Sequence, residues 1–365
     1  MTPRVLMILE GWGLGGTERY VERLCRYLKH HVAADVTLAL LTPPRADALY
    51  EIEGVVQEIL YPDRTSRGRG GTLKQLLGNR TFDVAHLHLY SSLLPVSWRL
   101  RDKLPTVATF HIPLSDWGLR HRIGWRLSTR FVDRVVGVSH DVVDSLGFQG
   151  RGDVISGHIP CPSAQWQPHG KSTIDEPFQI IGVGRLSPQK DWPTLIKAVA
   201  HANKLGGRPV AARIIGDGDE QQRLDSLIRE LDATNHVQLA GPRDPDKVLD
   251  ELITADLFVL PSRFEGLGLA PLEAMAAGVP TITSDFPAAR EFIDHGHSGH
   301  RFPIGDSTKL AELIRWHRDH AQESAAIGQR GRTVVVEQFS EENTVARYAE
   351  IYASLAGAPC QGVRQ

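Results

Sequence analysis

Short apolar runs rich in β-branched residues alternate with helix-period stretches along nearly the whole chain. Arg4–Leu9, Ala34–Leu41, Phe82–Leu87, Thr106–Phe110 and Arg134–Val138 read as buried strands, with Thr17–Lys29 as a helix after the first of them. The alternation breaks in a proline-containing stretch without apolar period that ends at Pro177. It then restarts. Gln179–Val183, Val210–Ile215, His236–Leu239, Asp256–Leu260 and Val279–Thr283 are the strand candidates of the second half. Between the first two of these, Leu195, Ile196, Val199, Ala202 and Leu205 share one face of a helix. Helical segments run from Ser307 to Leu355. Strands that alternate with helices build a parallel sheet covered on both faces. The pattern therefore predicts two doubly wound α/β domains in tandem. We assign residues 1–163 to the first domain, 164–177 to a linker and 178–340 to the second domain, with 341–365 as a terminal helix packing back toward the first. Ligands of such sheets sit beyond the carboxyl ends of the strands, which makes the cleft between the domains the default site.

One segment has a second pattern. Within Trp117–Arg134, Arg122, Arg126, Arg130 and Arg134 recur every four residues, beside an apolar stripe of Leu119, Ile123, Leu127 and Phe131. The expectation is that the apolar stripe packs on the sheet and the arginines are solvated. The competing reading is a basic amphipathic helix on an anionic membrane, with Trp117 and Trp125 reaching the interface.

Composition agrees with a two-domain globular protein: 365 residues, 41% hydrophobic and 23% charged. The net charge of −2 splits into +4 over residues 1–170 and −6 over the remainder, with no drive toward nucleic acid. Three scattered cysteines, Cys25, Cys161 and Cys360, form neither a disulfide framework nor a zinc motif and suit a reducing cytosol. The apolar run at the start is too short for a signal-peptide core, and no stretch has the length of a membrane span, so a cytoplasmic location is expected.

Several motifs are decoys. Gly11, Gly13 and Gly16 fit a dinucleotide fingerprint, but the second strand ends in Leu40-Leu41-Thr42-Pro43-Pro44 without the required acid. Gly170-Lys171-Ser172 lacks the first glycine of a P-loop. Asp217-Gly218-Asp219 and Asp244-Pro245-Asp246 have metal-binding spacing but read better as helix-start caps. His295, His297 and His300 read as a turn rather than a metal site, and His86 and His88 as strand-end packing. The basic loops Arg64–Arg69 and Gly150-Arg151-Gly152 read as solvated.

The informative stretch is Phe258 to Pro280. A strand ends near Leu260, a glycine-rich turn follows, and Pro271 suits the first turn of a helix. Glu273 is expected in that first turn and Glu265 in the loop before it. Free N–H groups at such a helix start hold phosphate, while carboxylates beside it accept hydrogen bonds from sugar hydroxyls. A diphosphate between two polyols describes a nucleotide sugar. Arg185 and Lys190, after the first strand of the second half, bring two cations to the same carboxyl edge. Such cations stabilise a leaving diphosphate and replace a metal in that role.

These residues resemble the retaining glycosyltransferases of family 4. Gly15-Gly16-Thr17-Glu18-Arg19 resembles the family's N-terminal start, Asp83-Val84-Ala85-His86 a strand end, and Thr109-Phe110-His111 the loop with its active-site histidine. Val138-Ser139 resembles the strand before the interdomain crossing, and Gly184-Arg185 with Lys190 the donor-phosphate pair. Glu265 and Glu273 match its E-x7-E signature. The resemblance covers nearly the whole chain. It implies the GT-B fold, two facing Rossmann-like doubly wound domains with an interdomain cleft.

It also implies sugar transfer with retention from a nucleoside-diphosphate sugar, the co-substrate, to a glycan, lipid or small-molecule acceptor. No metal and no other cofactor is implied. Glu265 would grip the transferred sugar, Glu273 the ribose, and Arg185 and Lys190 the diphosphate. Backbone N–H groups of Gly266, Leu267 and Gly268 would line sugar and phosphates, Gly15 and Gly16 would admit the diphosphate, and His111 would sit at the anomeric carbon. An epimerase on the same fold and a non-catalytic nucleotide-sugar binder are the alternatives.

Overall fold

The computed structural model describes residues 3–13, 15–44, 52–62, 73, 77–114, 117–147, 152–157, 159 and 176–357. The chain divides into two compact units. The first is Met1–His158 together with Glu341–Gln365, and the second is Ile159–Ser340. Residues 164–175 of the expected linker lie outside the described residues, as do Gly170-Lys171-Ser172, Arg64–Arg69 and Gly150-Arg151.

The first unit is built on seven parallel strands: β1 (Arg4–Leu9), β2 (Asp35–Leu40), β3 (Glu58–Leu60), β4 (Val84–His88), β5 (Thr106–Phe110), β6 (Arg134–Gly137) and β7 (Asp153–Val154), in the order β3-β2-β1-β4-β5-β6-β7. Five of the six residues of β1 are buried, as are all five of β4 and of β5, which is why their sequences are dominated by apolar and β-branched residues, with His86, His88, Thr106 and Thr109 as buried polar exceptions. Helices α1 (Gly16–His31), α2 (Leu93–Leu100), α3 (Leu119–Ser128) and α4 (His140–Ser145) connect the strands.

The second unit carries six parallel strands: β8 (Phe178–Val183), β9 (Val210–Ile215), β10 (Val237–Gly241), β11 (Leu257–Leu260), β12 (Thr281–Ser284) and β13 (His300–Phe302), in the order β10-β9-β8-β11-β12-β13. Its helices are α5 (Trp192–Lys204), α6 (Gln221–Glu230), α7 (Pro245–Thr254), α8 (Leu269–Ala276), α9 (Ser307–Asp319) and α10 (Ala321–Gln338). The last helix, α11 (Glu341–Ala356), belongs to the first unit, where it packs on α1 and β4.

Strand order reverses between β1 and β4 in one sheet and between β8 and β11 in the other. At such a reversal the connections leave to opposite sides and open a crevice at the carboxyl edge. The candidate residues gather at these two places.

For Trp117–Arg134 the arginines are exposed or half-exposed as expected, but the packing of the apolar stripe on the sheet is overturned. Helix α3 buries Trp125 and Ser128, while Leu119, Ile123 and Leu127 face outward. The tryptophans do the packing: Trp125 donates its Nε1 to the Tyr90 carbonyl at 2.5 Å and meets the Phe110 ring edge-on at 5.3 Å. Trp117 stacks on Tyr90 with ring centroids 6.0 Å apart. Two indoles outweigh three aliphatic side chains in area buried, so the helix turns its aromatic face inward.

Candidate active site

In the second unit, β8 and β11 end side by side, and the loops beyond them are stapled together. Gln189 accepts the Arg263 N–H on its carbonyl at 2.8 Å and donates its amide to the Phe264 carbonyl at 2.9 Å. The β8 loop reaches this position through a 3₁₀ turn at Pro188–Lys190 and a left-handed residue, Asp191 (φ 49°), whose buried carboxylate accepts the Thr194 hydroxyl at 3.0 Å. Close approach of backbones underlies the same edge: a Cβ on Gly216 would lie 2.1 Å from the Gly184 carbonyl oxygen, which only glycine avoids.

The staple sets Lys190 against Glu265, with Nζ 2.5 Å from Oε1. Ser262 donates its hydroxyl to the same oxygen at 2.6 Å, and Ser284 in turn donates to the Ser262 carbonyl. Glu265 is buried. Its other oxygen, Oε2, makes no hydrogen bond among the described residues. The carboxylate is thus charge-balanced and fixed on one side and available on the other. Arg185 is exposed on the same loop with no side-chain partner among the described residues, and its carbonyl is tied down by Trp192 Nε1 at 3.0 Å.

Gly266, Leu267 and Gly268 follow Glu265 into α8. Gly268 holds the cap position at φ 91°, where a Cβ would press within 3.2 Å of Pro271. The N–H groups of these three residues make no backbone hydrogen bond among the described residues, so they remain donors at the start of a helix. Glu273 is half-buried and lies in the second turn of α8, not the first, because the helix begins at Leu269. The sequence expectation counted the helix from Pro271, whereas the left-handed Gly268 starts it two residues earlier.

In the first unit, β1 and β4 end at the other reversal. Glu10 bridges them, accepting the Ser91 hydroxyl and the Ser92 N–H, each at 2.7 Å. Gly15 caps α1 in extended conformation, and Gly16 opens the helix with nothing within 4 Å of where a Cβ would stand. The space at Gly16 admits close approach of a ligand. At Gly15 the Glu18 carboxylate folds back, 2.4 Å from a would-be Cβ.

His111 follows β5. His88 Nδ1 and His111 Nε2 stand 2.8 Å apart and share one hydrogen, and the edge of Tyr20 meets the His111 ring at 4.9 Å. Burial pushes the His111 imidazole down to about 3, so it is neutral in the physiological range. Beyond the strand-end packing that the sequence predicts for it, His88 contacts His111 and so is part of this site.

A buried relay stands behind the pair. The Ile155 carbonyl only accepts, so Tyr20 donates to it (3.4 Å), Tyr348 to Tyr20 (2.8 Å), and Thr109 to Tyr348 (3.0 Å). His86 Nε2 then donates to Thr109 (2.7 Å), and Tyr352 donates to His86 Nδ1 (2.6 Å). The direction follows because each hydroxyl has a single hydrogen. Burial, reinforced by the neighbouring His111, pushes His86 down to about 3 as well.

The remaining motifs resolve simply. Asp217 and Asp219 are exposed before α6, and Asp244 stands at the cap position of α7, but no side-chain capping hydrogen bond forms at either helix start, contrary to the capping expectation. His295 accepts the Arg301 N–H at 3.0 Å, and His300 is buried against His317 (Nδ1 to Nε2, 2.9 Å). Among the described residues no three His, Cys, Asp or Glu side chains are grouped as a metal site. No helix among them is long and apolar enough to cross a membrane.

Residues 165–334 match the family model for glycosyl transferases group 1, and residues 14–154 that for glycosyltransferase family 4. The chain belongs to the group 1/family 4 glycosyltransferases. It is similar to the amylovoran biosynthesis glycosyltransferase AmsK of Erwinia amylovora, 29% identical over 51% of this chain and 47% of that one. It is also similar to the lipopolysaccharide core biosynthesis glycosyltransferase LpsE of Rhizobium meliloti, 31% identical over 50% of this chain and 53% of that one. The chain thus spans about half the length of these curated relatives. Among solved structures, Anabaena HepE in complex with UDP-glucose superposes with a TM-score of 0.81, covering 96% of this chain and 99% of that one at 20% identity. At that identity the likeness establishes the fold, the two-domain α/β architecture of the GT-B class.

Proposed function

We propose that the chain is a retaining hexosyltransferase that moves a sugar from a nucleoside-diphosphate sugar to an acceptor hydroxyl in glycan biosynthesis, without a metal. The observation that carries this reading is the Lys190–Glu265 pair at the reversal of the second sheet. A sugar nucleotide presents hydroxyls on one side of a diphosphate, and this edge offers the complement. Glu265 Oε2 accepts from hydroxyls of the transferred sugar. Lys190 and the exposed Arg185 offset the charge that grows on the leaving diphosphate, a role otherwise filled by a metal. The N–H groups of Gly266, Leu267 and Gly268 donate to sugar and phosphate oxygens, and Glu273 accepts from the ribose. On the first unit, Gly16 leaves room for an oxyanion, Gly15 is crowded by the Glu18 carboxylate, and neutral His111 offers a hydrogen bond to a sugar hydroxyl. With no protein nucleophile assigned, the leaving phosphate takes the acceptor proton on the same face, and configuration is retained.

The relatives' names, for amylovoran and lipopolysaccharide core biosynthesis, support a glycan product, and the UDP-glucose bound by HepE supports a nucleotide-sugar donor. The test is a thermal-unfolding screen of the chain against UDP-glucose, UDP-galactose, UDP-N-acetylglucosamine and GDP-mannose. A true donor at 100 times its dissociation constant adds about 2.7 kcal/mol of stability. Proton NMR of the product then reads the anomeric configuration. Stabilisation by no sugar nucleotide overturns the reading, and an inverted product overturns retention.

A further inference from the structure

The outward face of α3 is the largest departure of the structure from what a soluble helix requires. Leu119, Ile123 and Leu127 recur every four residues and are 70%, 52% and 40% exposed, a continuous apolar stripe in water. Trp98 on the neighbouring α2 is 50% exposed beside it. Between the helices, Leu94, Pro95, Trp98, Leu127 and Phe131 line a shallow apolar pocket. Cations frame the stripe. Helical geometry sets Arg122 and Arg126 along one flank and Arg120 along the other, with Arg130 just beyond the end of the helix and Arg99 on α2. Neither α2 nor α3 contains a carboxylate.

The face is rigidly presented. Trp125 fixes α3 from beneath through Tyr90 and Phe110, so the stripe is not a core face that has come loose. Arg101 lies over the Trp98 and Phe131 rings and pairs with Asp102 at 3.8 Å, so the rim holds a carboxylate. Arginines still dominate it, and an apolar centre with such an excess of positive charge does not fit an average protein surface, which mixes signs evenly. It fits an anionic lipid surface, where aliphatic side chains enter the acyl boundary, an indole lies at headgroup depth and arginines pair with phosphates.

We propose that the paired helices α2 and α3 are a peripheral docking surface for anionic membrane. Leu119, Ile123, Leu127 and Trp98 insert, and Arg120, Arg122, Arg126 and Arg130 bind lipid phosphate. The placement has a use, since Phe110, against which Trp125 packs, immediately precedes His111. A membrane-borne acceptor would meet the protein on the unit that carries this histidine.

The test is co-sedimentation of the whole chain with phosphatidylcholine vesicles and with vesicles rich in phosphatidylglycerol, at low and high salt. The wild type is expected to sediment with the anionic vesicles at low salt and to be released by salt. Ile123→Ser with Leu127→Ser is expected to weaken binding at least tenfold. Arg122→Gln, Arg126→Gln and Arg130→Gln together weaken it on the order of 100-fold, at about fivefold per cation. All five positions are exposed or half-exposed, so unchanged thermal unfolding of the variants separates lost docking from lost folding. A wild type that stays in the supernatant at low salt overturns the proposal, as do variants that bind undiminished. Sedimentation velocity decides the competing occupant: a dimer dissolved by the serine variants, without vesicle binding, would assign the face to a second copy. None of these readouts needs turnover, so failure here leaves the transferase reading intact.

Discussion

Lys190 and Glu265 stand 75 positions apart in the chain and meet at 2.5 Å across the strand reversal of the second sheet. The contact joins the two features a sugar-diphosphate site needs, a cation and a fixed carboxylate. Because Ser262 holds the same Glu265 oxygen, removal of the lysine leaves the carboxylate in place. Lys190→Ala is therefore expected to lower turnover by about 10²–10³ with the fold retained. Nucleoside-diphosphate release, measured beside thermal unfolding, checks it. A folded variant with near-normal turnover would remove Lys190 from the chemistry.

In the proposed reading, Lys190 and Arg185 offset the diphosphate charge in place of a metal. Lys190 and Arg185 share one loop at the carboxyl edge, whereas the aspartates with metal-like spacing stand before α6 and α7. Turnover is expected to be unchanged in excess EDTA. Loss of activity in the chelator, restored by magnesium or manganese, would contradict this.

The long buried strands were legible because a two-sided parallel strand is mostly apolar or β-branched, and the run stands out from its polar flanks even where a buried His86 or Thr109 interrupts it. β3, β7 and β13 were not read. The first two are short, half-buried strands at the two opposite edges of the first sheet, and β13 begins in His300-Arg301, which carries no apolar run. At the site, Glu265, Lys190 and the glycines were legible from local spacing. Ser262 and Gln189 were not, because their roles lie in contacts between loops of different strands. Tyr348 and Tyr352 touch Thr109 and His86 from 239 and 266 positions away, a distance over which a single sequence carries no signal. The outward stripe of α3 was misjudged because periodicity gives the spacing of a face, and only the neighbouring Tyr90 and Phe110 decide which face turns inward.

Buried neutral histidines make stability depend on mildly acidic pH. His86 and His317 are fully buried, and desolvation holds each at about 3 against an ordinary 6.5. The unfolded chain therefore takes up these protons first. Their contribution is complete above about pH 6.5 and is lost as pH falls from there toward 3, by at most about 1.4 kcal/mol per pH unit for each histidine. Asp83 and Asp285, held below the ordinary 3.8 by hydrogen bonds from arginine, lose their contribution only as pH falls through that value, in acid stronger than the window from pH 7 to 5. Urea midpoints measured from pH 7 to 5 are expected to fall steadily. His86→Gln should flatten the slope for the first unit, and midpoints independent of pH in that window would show that the histidines are not held neutral.

The one-way hydrogen-bond relay predicts an ordering among tyrosine variants. Tyr348 sits inside the chain, accepting from Thr109 and donating to Tyr20, so Tyr348→Phe breaks two buried bonds and strands the Thr109 hydroxyl. Tyr352 is the terminal donor, so Tyr352→Phe breaks only the bond to His86 Nδ1. A buried polar group left without its partner costs about 1–3 kcal/mol. Tyr348→Phe is thus expected to destabilise by roughly twice as much as Tyr352→Phe. A catalytic difference follows too. Tyr20 supports the His111 ring edge-on, so loosening Tyr20 through Tyr348 disturbs His111, whereas Tyr352 acts at the far end of the relay. Tyr348→Phe should lower turnover at saturating donor while Tyr352→Phe leaves it near wild type. Denaturant unfolding and donor-saturated rates measure both quantities on the same preparations. Equal costs for the two variants, or a larger one for Tyr352→Phe, would contradict the placement of Tyr348 inside the relay and Tyr352 at its end.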